Sequence, residues 1–314
     1  MSMSAGSDAS VYLCVSIDCE CDKGPGWKTR KPLSFAAVTS GIGERLQPLF
    51  RRYGATPTYL LSPEVIRDPA SVAVLASIAS ECELGTHLHG EFAEPGAFEP
   101  EVTSAFQCHY DRDTEQEKLR GLTALFADAF LTKPRSFRAG RFGIGPHSLG
   151  ILADLGYTVD SSVTPFKDWA QAGAPEASFR QAPTQPYWPV LEMPAQIAAT
   201  PGTLLEIPVT IRPAVLSWLP LVGRHFEPRW LRPTKGSVDQ IVAVAEDEIA
   251  ASSGRPLILN CMFHNVEIMP GLSPYAQTEA EADAILGRLE GLLAFAARQG
   301  IATVGLGDVP GLIC

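Results

Sequence analysis

The stretch VYLCVSIDCECD, residues 11–22, places three carboxylates directly after a continuous apolar run. The run VYLCVSI is rich in β-branched residues and shows no polar–apolar alternation, which is typical of a strand buried on both faces. Strands of this kind belong to parallel sheets that are covered by helices on either side. The acidic residues then follow the carboxyl end of the strand, where parallel barrels carry their chemistry.

The rest of the chain alternates between predicted helices and strands. Helices are predicted at 34–54, 68–81, 114–130, 147–156, 237–252 and 276–299, and further strands at 56–61, 82–86, 134–140, 157–163, 204–211, 256–264 and 301–306. Seven or eight strands separated by helices predict an α/β fold whose parallel sheet closes into a barrel. We expect one domain over 1–314 with a long insertion at about 165–235, which is rich in Pro and Trp and poor in periodicity.

The composition argues against nucleic-acid and membrane partners. The chain has 25 Lys and Arg against 35 Asp and Glu, a net charge of -10, and no basic footprint for nucleic acid. The apolar segment LSWLPLVG, 216–223, is too short to span a membrane and is interrupted by Pro220. The polar start MSMSAGSDAS is unlike a secretory signal, and the seven cysteines are scattered, so we expect a cytoplasmic protein.

The segment GTHLHGE, 85–91, suggests a metal site. In an extended chain His87, His89 and Glu91 point to one side, because side chains alternate along a strand. Imidazole and carboxylate side chains converging in this way can bind a small cation. The alternative is a surface loop that happens to contain two histidines, and the segment alone does not decide between the two interpretations.

Further polar residues follow the other predicted strands. They are Asp18, Glu20 and Asp22 after the first strand, Arg138 and Arg141, Asp160, and finally His264 and Asn265. Charged residues that follow apolar runs at strand after strand favour a metal-hydrolase site over chance. Each residue also has a simpler explanation: Asp18 as a helix cap, Arg138 as half of a surface ion pair, and His264 as a core histidine bonded to a carbonyl.

Five segments resemble, in order, the motifs of the polysaccharide deacetylase (NodB-like) family. They are SIDCE, GTHLHGE, SFRAGRFG, YTVDSSV and MFHN…PGLSPY, and the resemblance extends over about residues 11–305. It is greatest for the WalW-like branch, in which an HxH pattern replaces the usual histidine pair. The resemblance implies a deformed (β/α)7 barrel, one divalent metal ion, usually zinc, and removal of an N-acyl group from a sugar.

The family's catalytic roles can be transferred to three residues of this chain. By resemblance, Asp18 is the base, Arg138 the arginine that holds the base, and His264 the general acid. A base of this kind takes the proton of the attacking water, and the acid protonates the departing amine. We expect Asp160 to orient His264 or to tune its charge.

The metal motif departs from the family pattern at two positions. Cys19 stands where the family has its metal-binding aspartate, and Glu20 is the substitute that shares a face with the base. His87 matches the first histidine ligand, but the residue four positions later is Glu91 rather than histidine. The third ligand is therefore His89 or Glu91, and two histidines with one carboxylate form a known open zinc set.

The expected substrate is an N-acylated sugar or glycan precursor, bound in part by Arg141, Trp169 and Asn265. Tyr187 and Trp188 in the insertion could also stack on sugar rings or else bury the loop on the barrel. One alternative is a non-catalytic protein that binds glycans or sugar nucleotides on the same fold. A second is an amidohydrolase-type barrel, which is disfavoured because its HxH motif normally ends the first strand rather than the third.

Overall fold

The computed structural model describes residues 10–29, 31–96, 106–174, 176–214, 227–251 and 256–313. Its strands are β1 (Val11–Cys19), β2 (Thr58–Leu61), β3 (Glu83–Leu88), β4 (Ser136–Ala139), β5 (Val159–Asp160), β6 (Pro189–Val190), β7 (Met193–Ile197), β8 (Leu205–Glu206), β9 (Ile211–Arg212), β10 (Arg229–Trp230), β11 (Leu257–His264) and β12 (Ala302–Thr303). The main sheet runs in the order β11-β1-β2-β3-β4-β5-β8, with every pair parallel. The predicted deformed (β/α)7 barrel is confirmed.

The barrel is irregular at two places. Strand β12 pairs with the start of β1 on the edge that β2 uses farther along, because β11 occupies the other edge for the whole strand. Between β8 and β11 the ladder is replaced by single bonds: Thr210 donates its N–H to the Asn260 carbonyl at 3.0 Å, and Asn260 donates to Thr210 Oγ1 at 2.8 Å. These bonds connect the two ends of the sheet.

Eight α-helices cover the sheet. They are α1 (Gln47–Tyr53), α2 (Pro63–Arg67), α3 (Pro69–Ser77), α4 (Arg112–Phe130), α5 (Ser148–Asp154), α6 (Val238–Ala250), α7 (Glu279–Gln299) and α8 (Pro310–Ile313) in the described residues. Within the helix predicted at 34–54, the ten residues Ala37–Leu46 form a π-helix before α1 begins. The change falls next to Pro48, which has no N–H to donate to the helix. No helix among the described residues is both long and apolar enough to cross a membrane.

Alternate side chains of β1 point into the barrel, and their chemistry changes along the strand. Cys14 belongs to an inner apolar cluster. Ser16, two residues farther along the strand, donates from Oγ to Oδ1 of Asn260 at 2.8 Å in a buried polar layer. Asp18 and then Glu20 follow at the carboxyl end, both with 2 % of their surface exposed. The period of two therefore delivers both carboxylates to the same mouth of the barrel.

The range 165–235 contains more than a surface insertion. β6 and β7 form a small antiparallel hairpin, and β9 and β10 form another short pair. β8, however, is a strand of the main sheet and pairs with β5. Residues 215–226 of this range lie outside the described residues.

Candidate active site

Asp18 and Arg138 form a buried ion pair at the carboxyl end of the sheet. Nη1 of Arg138 lies 2.7 Å from Oδ1 of Asp18, and their side chains expose 0 % and 2 % of their surface. Burial alone would raise the pKa of Asp18, but the positive charge nearby, chiefly that of Arg138, outweighs it and holds the pKa below its usual value. Asp18 is therefore an ionised carboxylate at neutral pH.

Arg138 is fixed by the polar layer beneath the site. Its Nε donates to the Ser161 carbonyl at 2.7 Å, and its Nη2 donates to Ser16 Oγ at 2.7 Å and to Ser161 Oγ at 2.9 Å. Asn260 supports Ser161 through a further bond of 2.9 Å. With all of these donors engaged, the guanidinium orients one oxygen of Asp18 and leaves Oδ2 facing the histidines.

Glu20, His87 and His89 converge on one point. Oε1 of Glu20 lies 3.0 Å from Nε2 of His89 and 3.5 Å from Nε2 of His87. One ligand atom from each residue lies within 4.8 Å of the other two, and all three residues are buried. Two imidazoles and one carboxylate make a donor set that suits a zinc ion with an open position.

The orientation of His87 fits a metal ligand. Its Nδ1 lies 2.9 Å from the Arg138 carbonyl, which can only accept a hydrogen bond, so the proton of the neutral ring is on Nδ1. Nε2 then carries a lone pair, is buried, and has no hydrogen-bond partner among the described residues. An orphaned nitrogen that faces Glu20 and His89 is a position for a cation, and the N–H to carbonyl bond is the usual outer support of a metal-binding histidine.

His89 lies between two carboxylates. Nε2 is 3.0 Å from Oε1 of Glu20, and Nδ1 is 3.1 Å from Oε1 of Glu91. Burial lowers the pKa of His89, but the two carboxylates outweigh it and raise the pKa to about 9. In the metal-free protein the imidazolium carries the positive charge that this cluster of acids requires.

Glu91 supports His89 instead of joining the three converging side chains. Its Oε1 also accepts from Nη2 of Arg141 at 2.7 Å, so Glu91 links the histidine to the arginine. The backbone turns after β3, and Glu91 lies in a short 3-10 turn rather than on an extended strand. Of the two alternatives for the third ligand, the structure places His89 in the cluster and Glu91 behind it.

His264 approaches the same point from β11. Its Nδ1 lies 2.9 Å from Oε1 of Glu267, which also forms an ion pair with Arg232. Its Nε2 lies 3.9 Å from Oδ2 of Asp18 and 3.7 Å from Oε1 of Glu20. Glu267 thus orients the ring so that Nε2 faces the site.

The expected role of Asp160 is corrected by these contacts. The carboxylate at Nδ1 of His264 is Glu267, whereas Asp160 accepts from Ser162 Oγ at 2.6 Å and lies opposite Glu206 on β8. Burial raises the pKa of Asp160, and burial together with the charge of Asp160 raises that of Glu206 well above its usual value. Both carboxyl groups are fully buried in the barrel wall.

Two of the three expected substrate contacts have structural partners instead. Asn265 is fully buried and forms two hydrogen bonds with the backbone of Glu20. Its Nδ2 donates to the Glu20 carbonyl and its Oδ1 accepts from the Glu20 N–H, both at 3.0 Å. It therefore positions Glu20. Trp169 donates to Thr164 Oγ1 at 3.0 Å and stacks on Phe142 with ring centroids 5.7 Å apart.

Arg141, the third expected contact, remains at the site through Glu91 and has 28 % of its side chain exposed. Tyr187 is buried, with its hydroxyl bonded to the Pro194 carbonyl, and Trp188 packs against the inner apolar cluster. Of the two interpretations of these aromatic residues, the structure favours burial of the loop on the barrel.

An aromatic wall and a cavity adjoin His264. Trp27 meets the imidazole edge to face at 5.0 Å, and Tyr275 packs on Trp27 at 5.7 Å. Arg232 lies 5.3 Å from the centre of the Tyr275 ring. Arg232 and Tyr275 also line a cavity of about 710 Å³. Its other lining residues are Glu227, Pro228, Arg229, Trp230, Thr234, Lys235, Gly236, Gln240, Ile241, Ala243 and Val244.

The sequence interpretation missed Lys23, Trp27, Arg232 and Glu267. Glu267 lies three residues after His264, and Lys23 lies three residues after Glu20, so local spacing could have suggested both. Trp27 lies in a tight loop closed by a bond from its N–H to the Gly24 carbonyl at 2.9 Å. Arg232 follows β10 and pairs with Glu267, which is distant in sequence, so no local pattern marks it.

The Glu267 carboxylate makes the free energy of unfolding depend on pH. Burial would raise its pKa, but Arg232 and His264 outweigh it and lower the pKa to about 2. A carboxyl group with this value when folded and ~4.3 when unfolded contributes about 3 kcal/mol above pH ~4.3, which is lost as pH falls through ~2. In metal-free protein, the difference in unfolding free energy between wild type and Glu267→Gln should therefore shrink from pH 6 to pH 2.5. Urea unfolding at each pH measures it, and a constant difference would contradict the pairing.

Comparisons with known proteins identify the fold. No family model matches the sequence, and no curated protein matches it. A solved structure assigned as a polysaccharide deacetylase from Mycobacterium smegmatis is similar at a TM-score of 0.56 and 16% identity, covering 100% of this chain and 92% of that chain. A protein assigned as a glycoside hydrolase/deacetylase from Parabacteroides distasonis has a TM-score of 0.64 and 9% identity, covering 97% of this chain and 71% of that chain. A GH57-type branching enzyme from Pyrococcus horikoshii has a TM-score of 0.55 and 11% identity, covering 96% of this chain and 70% of that chain. At these identities, the chain shares the fold of these carbohydrate-active proteins.

Proposed function

We propose that the protein is a metal-dependent hydrolase that removes an N-acyl group, most simply acetyl, from an amino sugar or glycan precursor. The observation that carries this is the meeting of Glu20, His87 and His89 at one point, with Asp18 and His264 beside it. The fold shared with a protein assigned as a polysaccharide deacetylase and the order of the five sequence motifs support it. Membership of the WalW-like branch stays a prediction.

Glu20, His87 and His89 are the side chains that would hold the metal. The orphaned Nε2 of His87 and the single oxygen of Glu20 that faces both imidazoles fit a cation in this place. A bound zinc ion would polarise the amide carbonyl and make a water molecule more acidic. Zinc is the expected metal because imidazole and carboxylate together suit it.

Asp18 has the properties of the general base. It is ionised, one of its oxygens is held by Arg138, and Oδ2 remains directed at the site. A carboxylate in this position can take the proton of the water that attacks the carbonyl carbon. The Arg138 guanidinium maintains its charge and orientation.

His264 has the properties of the general acid. Attack on an amide produces a nitrogen leaving group that departs only when protonated, and Nε2 of His264 faces the site at 3.7–3.9 Å from the two carboxylates. The Glu267 carboxylate at Nδ1 orients the ring so that Nε2 can deliver this proton. The proton therefore passes from His264 to the amine, and the proton of the water passes to Asp18.

The sugar would bind along the wall formed by Trp27 and Tyr275. The aromatic faces suit the apolar faces of a pyranose, and the adjoining cavity of about 710 Å³ is of the size that holds a small ligand.

A second candidate is a non-catalytic protein that binds glycans on the same fold. Cys19, at the family's aspartate position, is fully buried in the apolar core with Sγ directed at the Ile17 carbonyl, so it cannot act as a ligand. Assaying the release of free amine from N-acetylated amino sugars, with and without zinc, separates the candidates. Sugar binding without any hydrolysis in the presence of zinc would favour the binding protein.

Protein purified without chelator should contain about one divalent ion per chain, because the cluster supplies three ligands. His87→Ala and His89→Ala should each remove most of the ion, whereas His109→Ala should not, since His109 lies elsewhere and contacts the Gly173 carbonyl. Elemental analysis of the wild type and the three variants measures this. If both cluster variants retain the wild-type metal content, the proposed metal site is wrong.

A further inference from the structure

Lys23 lies inside the candidate site, next to one of its proposed ligands. Its Nζ is 2.9 Å from Oε2 of Glu20, and the two side chains expose 6% and 2% of their surface. Lysine is almost never buried to this degree unless it is paired. The ion pair is therefore part of the construction of the site and differs in kind from a solvated surface contact.

The position of Lys23 is fixed by its own loop. Nζ also donates to Thr29 Oγ1 at 3.0 Å and lies 5.7 Å from the centre of the Phe92 ring. The backbone of Lys23 pairs with that of Thr29, and the loop between them carries Trp27 to His264. The ammonium group thus has a defined place, and its long side chain has little freedom to leave it.

The two oxygens of Glu20 have separate partners. Oε1 faces the imidazoles of His87, His89 and His264 at 3.0–3.7 Å, whereas Oε2 faces Lys23. Nζ of Lys23 lies 2.9 Å from this oxygen, and a lysine buried to this degree is normally one that is charged and paired. The group is therefore a cation, and it withdraws charge from the carboxylate that faces the histidines.

The same pattern of a carboxylate paired with a cation recurs at three further residues of this mouth. Asp18 is paired with Arg138, Glu91 with Arg141 and Glu267 with Arg232. Those three carboxylates lie outside the proposed donor set. Glu20 alone is both a candidate ligand and the partner of a buried cation, and this is the contact that bears directly on metal binding.

We infer that Lys23 is a positioning residue of the candidate metal site: it restricts Glu20 to one donor oxygen and lowers the affinity of the site for divalent ions. The inference rests on the metal site of the proposed function. Its physical basis is that a fixed positive charge in a buried site repels a dication and makes the shared carboxylate a weaker donor. An ion held by a weaker donor is in turn a stronger Lewis acid.

The test compares metal affinity in wild type, Lys23→Met and Lys23→Arg. Lys23→Met removes the charge with little change in length, and we expect it to tighten zinc binding at least about tenfold. Lys23→Arg keeps the charge and should stay within about threefold of wild type. Zinc affinity is measured by competition with a chromophoric chelator. The visible spectrum of the cobalt-loaded protein reports the coordination number of the metal. In Lys23→Met it should indicate a higher coordination number than in wild type, because the freed oxygen of Glu20 becomes a second donor.

The outcomes separate this inference from the proposed function. Equal or weaker zinc binding in folded Lys23→Met, with wild type still binding zinc and releasing amine, overturns the inference and leaves the function in place. Zinc binding by Lys23→Met alone supports the inference and removes the metal-dependent function from wild type. Absence of zinc binding in all three proteins overturns both. If Lys23→Met does not fold, Lys23→Gln, which keeps a hydrogen-bond donor, makes the same comparison.

Discussion

Replacing His264 with alanine is expected to lower the turnover of an N-acyl amino sugar by about 10²–10⁴-fold, the usual contribution of a general acid. KM should change little, because Nε2 acts on the leaving nitrogen during bond cleavage and contributes little to binding of the ground state. Metal content should also be retained, since the three converging ligands do not include His264. Steady-state kinetics at saturating zinc, with elemental analysis of the same samples, measures both quantities.

The leaving group distinguishes an acid from a merely structural histidine. A nitrophenolate departs without protonation, so His264→Ala should slow hydrolysis of an aryl acetate much less than hydrolysis of the amide. His264→Gln is the matched control for packing, because it can still reach Glu267 and sits beside Trp27 with a similar volume. Equal losses on amide and ester would contradict the acid role, and so would a Gln variant with the activity of wild type.

The barrel and its active edge could be predicted because their signals are local. The apolar run of β1, the alternation of helices and strands, and the period of two after Asp18 are properties of short segments. They placed Asp18 and Glu20 at the carboxyl end of β1 and His87 and His89 at that of β3. The structure brings the four side chains together although β2 lies between the two strands. Parallel pairing of β1 with β11 adds His264 directly opposite Asp18.

The errors concern partners that depend on the path of loops. Asp160 has the right position for a strand-end acid, but it lies opposite Glu206 on β8 and bonds to Ser162, while Glu267 is the carboxylate at Nδ1 of His264. Asn265 follows His264 in sequence, yet the short helical turn after β11 directs it to the backbone of Glu20. These two pairings join residues 46 and 245 positions apart, so no sequence periodicity indicates them.

The buried pair of Asp18 and Arg138 provides the largest expected effect on stability. Arg138→Met removes a cation with 0 % exposure and leaves Asp18 as an unpaired buried charge, which typically costs about 3–5 kcal/mol of unfolding free energy. Hydrolysis should fall with it, because without its cation Asp18 is harder to ionise. Arg51→Met is the surface control, since its partner Glu81 is also solvent-accessible and exposed ion pairs contribute little.

A second substitution tests the cause of that loss. Asp18→Asn in the Arg138→Met background removes the stranded charge, so the double variant should be more stable than Arg138→Met alone. The recovery should be partial, because Ser16 and Ser161 still lack the bonds that the guanidinium donated. Activity should not return, since the base itself is gone. Urea unfolding of the four proteins of the cycle gives the coupling energy. If the losses of unfolding free energy in Arg138→Met and Asp18→Asn add up to the loss in the double variant, the two side chains are not coupled. The ion pair would then not hold Asp18 in place, and Arg138 would not prepare the base.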